Sequence, residues 1–326
     1  MKYFKRIAFL LCLTFSHISF SYVINGNYEA KWSGIEVIGT DNNIEAEKIR
    51  QLLPIRIGET LIAKDAMDYK NLCCNIVKEK TSFEKSRCSI LFYGDNNAYF
   101  IIDLASNETM YAFRTIPQKS TPIPGIPKEL DELYEKWNNH ASSLMSSGNF
   151  IKENFDNNFR DFEEPSLHLY AMQLNKMTKK YNNILLDIIH YSESNAARQK
   201  VADLLSWGDL NKNIHYLIRW NLLNDPDPGV RNNIARAFLH SVHKANEALL
   251  KDLIHAYCYQ SQLPTHGDRN KALFSLKEII EAHPHLGSTF SSACKNNLIY
   301  LSEMSILDNI KEPANDILAI INKSPI

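Results

Sequence analysis

His240 and His243 stand one helical turn apart, and with His255, His283, His285 or Glu247 they could supply nitrogen and carboxylate ligands to a divalent metal. No third ligand has a fixed spacing, so the pair reads as surface histidines and no metal or other cofactor is assigned. Two carboxylate pairs, Glu163 with Glu164 and Asp225 with Asp227, have the composition of a general acid and base. Their simpler readings are an acidic loop and a helix cap. Arg198, Arg231 and Arg269 lie 33 and 38 residues apart and could form a basic ladder for an anionic ligand. A structural role, bonding an aspartate or a carbonyl of a neighbouring helix, is the reading adopted. Trp207 and Trp220 read as packing residues rather than carbohydrate platforms. The chain has no Gly-x-Ser-x-Gly nucleophile turn, no phosphate-cradling glycine loop and no His-Glu-x-x-His zinc helix, and its 11 glycines leave few places for a backbone to hold a ligand. No catalytic residue is assigned, and the chain is read as a non-enzyme.

The elements that position these residues are legible from pattern. Asp227 is placed to cap a helix whose first position is Pro228, where a missing N–H costs nothing and φ is already helical. Val230, Ile234, Ala237, Phe238 and Val242 then share one face. A preceding helix, Ile214 to Leu223, should pack antiparallel to it across a short turn. Related segments begin at Ala197 and Asp268, each with an arginine three residues before a small or aliphatic pair. Asp227, Val230, Arg231 and Ala235 resemble the second helix of a HEAT repeat, and the Arg198 and Arg269 segments resemble it in part. The resemblance implies an α-helical superhelix over residues 128–326 whose concave face binds other proteins. The last helix, around Ile317 to Ile321, departs from the pattern, as terminal repeats do.

Between residues 34 and 105 the period changes to strand, helix, helix, strand, strand. A strand from Gly34 to Thr40 alternates at Ile35 and Val37. Helices follow over 44–53 and 64–78, separated by Pro54 and Gly58, and a hairpin of 87–93 and 98–105 turns at residues 94–97. The run Ile35 to Gly39 and the segment Arg56-Ile57-Gly58-Glu59-Thr60-Leu61 resemble those of a POTRA domain. That likeness implies an envelope module that recruits polypeptides, often by pairing a sheet edge with an incoming strand. The fold class is therefore α+β followed by all-α, a small βααββ domain preceding a helical HEAT-like region. Residues 106–127, with Pro117, Pro122, Pro124 and Pro127, read as a stiff linker or as a strap across a neighbouring surface.

Residues 1–21 have the charged start, apolar run and small cleavage-site residues of a secretory signal. Their removal takes away three of the 36 basic residues and none of the 37 acidic ones, so the net charge moves from −1 to −4. With no basic cluster interleaved with aromatics, nucleic acid is excluded as a partner. No second long apolar stretch follows, so no membrane span is expected in the mature chain. Of six cysteines, five survive signal removal, in a compartment that favours disulfides. Cys73 shares the apolar face of the second helix and Cys88 alternates with Ile90 and Phe92, which makes Cys73–Cys88 the first pairing and Cys74–Cys88 the second. Cys258 and Cys294 are 36 residues apart and are candidates for a second bridge. A redox role for Cys73 and Cys74 does not fit, because adjacent cysteines lack the Cys-x-x-Cys spacing.

The sequence thus predicts an exported protein, periplasmic or secreted, that acts as a scaffold for protein partners of the cell envelope. The alternative is an envelope hydrolase or metal-dependent enzyme with a site assembled from His240, His243 and Glu247. A third possibility is a stabilising subunit of a larger machine.

Overall fold

The computed structural model describes residues 28–83, 85–93, 96–105, 113–146, 151–154, 159–242 and 245–323. The signal expected at residues 1–21 lies outside them. The order is β1 (Glu29–Ile38), α1 (Asn43–Gln51), β2 (Thr60–Ile62), α2 (Ala66–Lys80), β3 (Lys85–Tyr93) and β4 (Asn97–Ala105), followed by a mostly helical region. That region comprises α3 (Lys128–Ser146), the short strands β5 (Glu153–Asn154) and β6 (Asp161–Phe162), α4 (Pro165–Lys180), α5 (Asn182–Tyr191), α6 (Asn195–Leu204) and α7 (Leu210–Arg219). It continues with α8 (Pro228–Val242), α9 (Glu247–Gln260), α10 (His266–Ala282), α11 (Gly287–Met304) and α12 (Asp308–Ile321). The coarse expectation, α+β and then all-α, is what the chain forms. No helix among the described residues is long and apolar enough to cross a membrane.

The chain groups into two compact units that do not follow sequence order. The described part of one runs from Arg114 to Leu250; the other joins the sheet segment, through Phe113, to Lys251 and beyond. The expected division at 34–105, 106–127 and 128–326 was linear. The reason for the difference lies in the sheet unit, where helices from the far end of the chain cover a face of the sheet.

In that unit the strand order is β2-β1-β4-β3, with β1 parallel to β4 and the other pairs antiparallel. Two features were not expected. The short strand β2 adds to the sheet edge beside β1, and β1 begins at Glu29 instead of Gly34, its register with β4 shifting between Trp32 and Gly34. Ile35, Val37, Phe100, Ile102 and Leu104 pack with Ala46, Ile49, Cys73 and Val77 of α1 and α2. Glu36 and Ile101, opposite one another in register, alternate to the other face and are also fully buried. A sheet buried on both faces reads as a near-continuous apolar run. Phe100 to Ala105 has that character, interrupted only by Asp103. Gly39 is the strand-end glycine that the chain requires: its φ is +101°, and a Cβ there would lie 1.9 Å from the Leu104 carbonyl oxygen.

Cys74 pairs with Cys88, the Cα atoms 5.8 Å apart, and Cys258 pairs with Cys294 at 5.2 Å. The preferred Cys73–Cys88 pairing is thereby corrected to the second choice, and Cys73 is a buried free thiol. Cys73 points into the core cluster with Val77. Cys88 belongs to the edge strand, and the neighbouring position, rotated by about 100° around the helix, is the one that reaches it.

In the other unit α8 starts as expected: the Asp227 carboxylate accepts the Val230 N–H at 2.9 Å, and Val230, Ile234, Ala237, Phe238 and Val242 are all fully buried. The preceding helix ends at Arg219 and not at Leu223, because Asn221 takes a left-handed conformation with φ 55°. Helix α8 packs on both α6 and α7.

Candidate functional site

The clusters with chemical potential are three buried charge networks, one histidine–aspartate pair, an aromatic stack and one sheet edge. The first network centres on Asp225, which is fully buried. Arg114 contacts its Oδ2 through Nε at 2.8 Å and Nη2 at 2.6 Å, and Arg198 contacts both oxygens at 3.2 and 3.0 Å. The Asp227 N–H adds a bond at 2.9 Å, and Arg231 donates to the backbone carbonyls of Asp225 and Pro226 at 2.6 and 3.2 Å. Arg114 also donates to the carbonyls of Ile189 and His190, while Lys119 pairs with Asp187 at 2.7 Å. The proline-rich segment from Arg114 is thus pinned along α5 as a strap.

The second network surrounds Arg160. Its Nε reaches Glu153 at 2.9 Å and its Nη1 reaches Asp203 at 2.9 Å, while Arg236 closes on Glu153 and Tyr134 donates to Asp203 at 2.9 Å. The guanidinium sits between Trp137, Phe162 and Trp207, about 5 Å from each ring. Burial lowers the pKa of Arg236 and raises that of the Tyr134 phenol. Among the described residues two arginines thus face two carboxylates in this core.

The third network lies in the sheet unit, where Arg269 of α10 meets Asp103 of β4 at 2.6 Å and Glu36 of β1 at 3.6 Å. All three are at most 1% exposed. Burial raises both carboxyl pKa values, with Arg269 opposing the rise.

The arginines singled out by spacing therefore share a role, two of them at one turn and the third elsewhere. Arg198 and Arg231 converge on the Asp225 turn, and Arg269 serves the sheet. Each is 1% exposed, so an external anion cannot reach them without opening the fold. Asp227, Val230 and Ala235 cap and pack α8. Glu164 caps α4, accepting from the Leu167 N–H at 2.7 Å, and Glu163 pairs with Lys152. Neither acidic pair is arranged as an acid and base across a cleft. Trp207 is fully buried, whereas Trp220 stacks on His190 at 4.1 Å and on Tyr216 at 5.7 Å. His243 and the side chain of His240 lie outside the described residues; His255, His285 and Glu247 are exposed. Among the described residues no group of three or more His, Cys, Asp or Glu is placed to hold a metal.

The histidine–aspartate pair was not anticipated. Asp161, 1% exposed, faces His168 Nδ1 at 2.8 and 3.0 Å, and the ring is 44% exposed. Nearby, the Ser166 hydroxyl donates to Glu164 and also meets His140 Nε2. The Glu164 carboxylate also accepts the Leu167 N–H as the cap of α4, so the Ser166 contact belongs to the start of that helix.

The edge is β3. It is one of the two outer strands, the other being the three-residue β2; it is half-buried along most of its nine residues, and the Cys74–Cys88 pairing fastens it to α2. Compared with protein-family models, curated proteins and solved structures, the chain matches none.

Proposed function

We propose that the protein is an exported envelope protein, periplasmic or secreted, that binds other proteins without catalysis. In this reading an extended segment of the partner adds to the sheet at β3, and the HEAT-like helices supply further surface. The observation that carries it is the position of β3: a nine-residue outer strand, stapled to α2, in a sheet whose two faces are already covered. Edge strands present backbone donors and acceptors in a row, which is the template for strand addition. The burial of Arg160, Arg198 and Arg231 within their networks supports a framework role for these arginines. The two cysteine pairings are compatible with an oxidising compartment.

A photo-crosslinking residue placed at Ser89 or Leu91 of the full-length chain, expressed in its own host, tests the reading. Discrete protein adducts that disappear when the same residue is moved to the α2 surface at Lys70 support it. Adducts of equal yield at both places, or none at β3, would overturn it.

A further inference from the structure

Glu36 and Asp103 sit on neighbouring parallel strands and point to the same face of the sheet, since Glu36 is opposite Ile101 and Ile38 opposite Asp103. Between them and the covering helices lies one guanidinium, that of Arg269. Its contact with Asp103 is close, at 2.6 Å, and its contact with Glu36 is longer, at 3.6 Å. Glu36 also accepts the Ser305 hydroxyl on Oε1, and Ser305 in turn receives the Leu307 N–H at 3.2 Å, so this carboxyl is tied to the segment between α11 and α12. Its Oε2 receives no hydrogen bond among the described residues.

The other charged and titratable groups facing the cluster do not restore the balance. From β3, Arg87 stands opposite Asp103 in register, half-buried, and acts on Asp103 through its field. From α10, Asp268 adds a further negative charge, and its carboxylate already has the Gln260 amide at 3.1 Å and the Thr265 hydroxyl as donors. His266 is buried and neutral, with Asn309 of α12 against its Nε2. From α11, the Tyr300 phenol bonds Gly39 and Thr40. Two carboxylates against one guanidinium would leave a net charge where none is solvated. A group in that position neutralises by binding a proton.

We propose that the Glu36–Asp103 pair holds one proton in the folded protein, resident on Glu36, and that this proton keeps α10, α11 and α12 seated on the sheet. The unit is then favoured by acid and loosened by base. The direction agrees with burial raising both carboxyls above their ordinary values of 4.5 and 3.8. A raised folded pKa means that the folded state binds more protons than the unfolded state between the ordinary and the raised value. Stability from this source is therefore complete below the ordinary carboxyl range, falls as pH rises towards the raised value, and is absent above it. Ionised Glu36 would drive the helices from the face that holds Ile101 and Asp103.

Glu36→Gln, which fixes the neutral form in the same shape, tests the proposal in the full-length oxidised protein. Hydrogen exchange corrected for its intrinsic pH dependence reads the opening of residues 28–105 and 251–323. The native chain should show an opening constant that rises by up to about tenfold per pH unit more steeply than the variant's across the window in which the proton is lost. Superimposable profiles would overturn the proposal. Should Glu36→Gln not fold, the carboxyl carbon shifts of the native protein decide. Glu36 titrating above the ordinary carboxyl range supports the held proton, and Glu36 titrating within it refutes the proposal.

Discussion

Arg114 and Asp225 stand 111 residues apart in the chain and meet in a fully buried two-nitrogen contact, Nε and Nη2 on one carboxylate oxygen at 2.8 and 2.6 Å. Arg198 approaches the same carboxylate from α6, so a single aspartate serves two buried guanidiniums. Removing one partner of such a network leaves the others charged and unsolvated. Asp225→Ala is expected to destabilise the unit from Arg114 to Leu250 by about 3–5 kcal/mol. Arg114→Ala should cost less, because Arg198 still neutralises Asp225. Denaturant unfolding followed by the near-ultraviolet signal of Trp137 and Trp207 reads both, and equal losses would refute Asp225 as the hub.

Cys73 is buried beside a disulfide, and among the described residues every other cysteine is paired. Burial pushes its pKa up to about 11, so at neutral pH it is a protonated, shielded thiol. Alkylation of the native oxidised protein is expected to leave Cys73 unmodified until the sheet unit unfolds. Non-reducing peptide mapping should then recover Cys74–Cys88 and Cys258–Cys294. Cys74→Ser opens a loop of 14 residues, and on the chain-entropy scale about 3 kcal/mol of stability should be lost. Recovery of a Cys73–Cys88 peptide as the main product would contradict the observed pairing.

The elements made by local rules were the ones most legible in the sequence. The Asp227 cap, the Pro228 start and the five-residue buried face of α8 follow from spacing alone, as do the alternating strands from Ile35 and Cys88. What sequence reading missed depends on contacts distant in the chain. Glu36 and Asp103 are acids inside apolar strands, and such a residue signals a buried partner without naming it; Arg269 lies more than 160 positions from either. Arg114, a cation at the start of a proline-rich strap, carried the same kind of signal. The Cys73 and Cys74 choice turned on which of two neighbouring helix positions reaches Cys88, and apolar periodicity finds the more buried position, Cys73, and not the bridged one.

The start of α8 separates capping from packing. Asp227→Ala removes the acceptor of the Val230 N–H and is expected to cost about 1 kcal/mol. Val230→Asp or Ile234→Asp places a charge at a fully buried position on the face that meets α6 and α7, and should leave that unit unfolded at ordinary temperature. Circular dichroism with a urea titration reads the contrast. A stable Val230→Asp variant would mean that this face is not part of the core.

His266 gives the sheet unit an acid limb opposite in sign to the Glu36–Asp103 pair. Burial, with Arg269 adding to it, lowers the folded pKa from 6.5 to about 3, so the ring stays neutral in the folded state while the unfolded chain takes up a proton. The unfolded state then binds more protons below pH 6.5, and stability is lost as pH falls from there towards 3, by up to about tenfold in the unfolding constant per pH unit. His266→Gln cannot titrate and can still accept the Asn309 amide through its side-chain oxygen. Its profile is expected to be flatter than the native one between pH 6.5 and 4 and parallel to it above pH 7. A native profile with no acid limb, or one that His266→Gln leaves unchanged, would place the ring in contact with water.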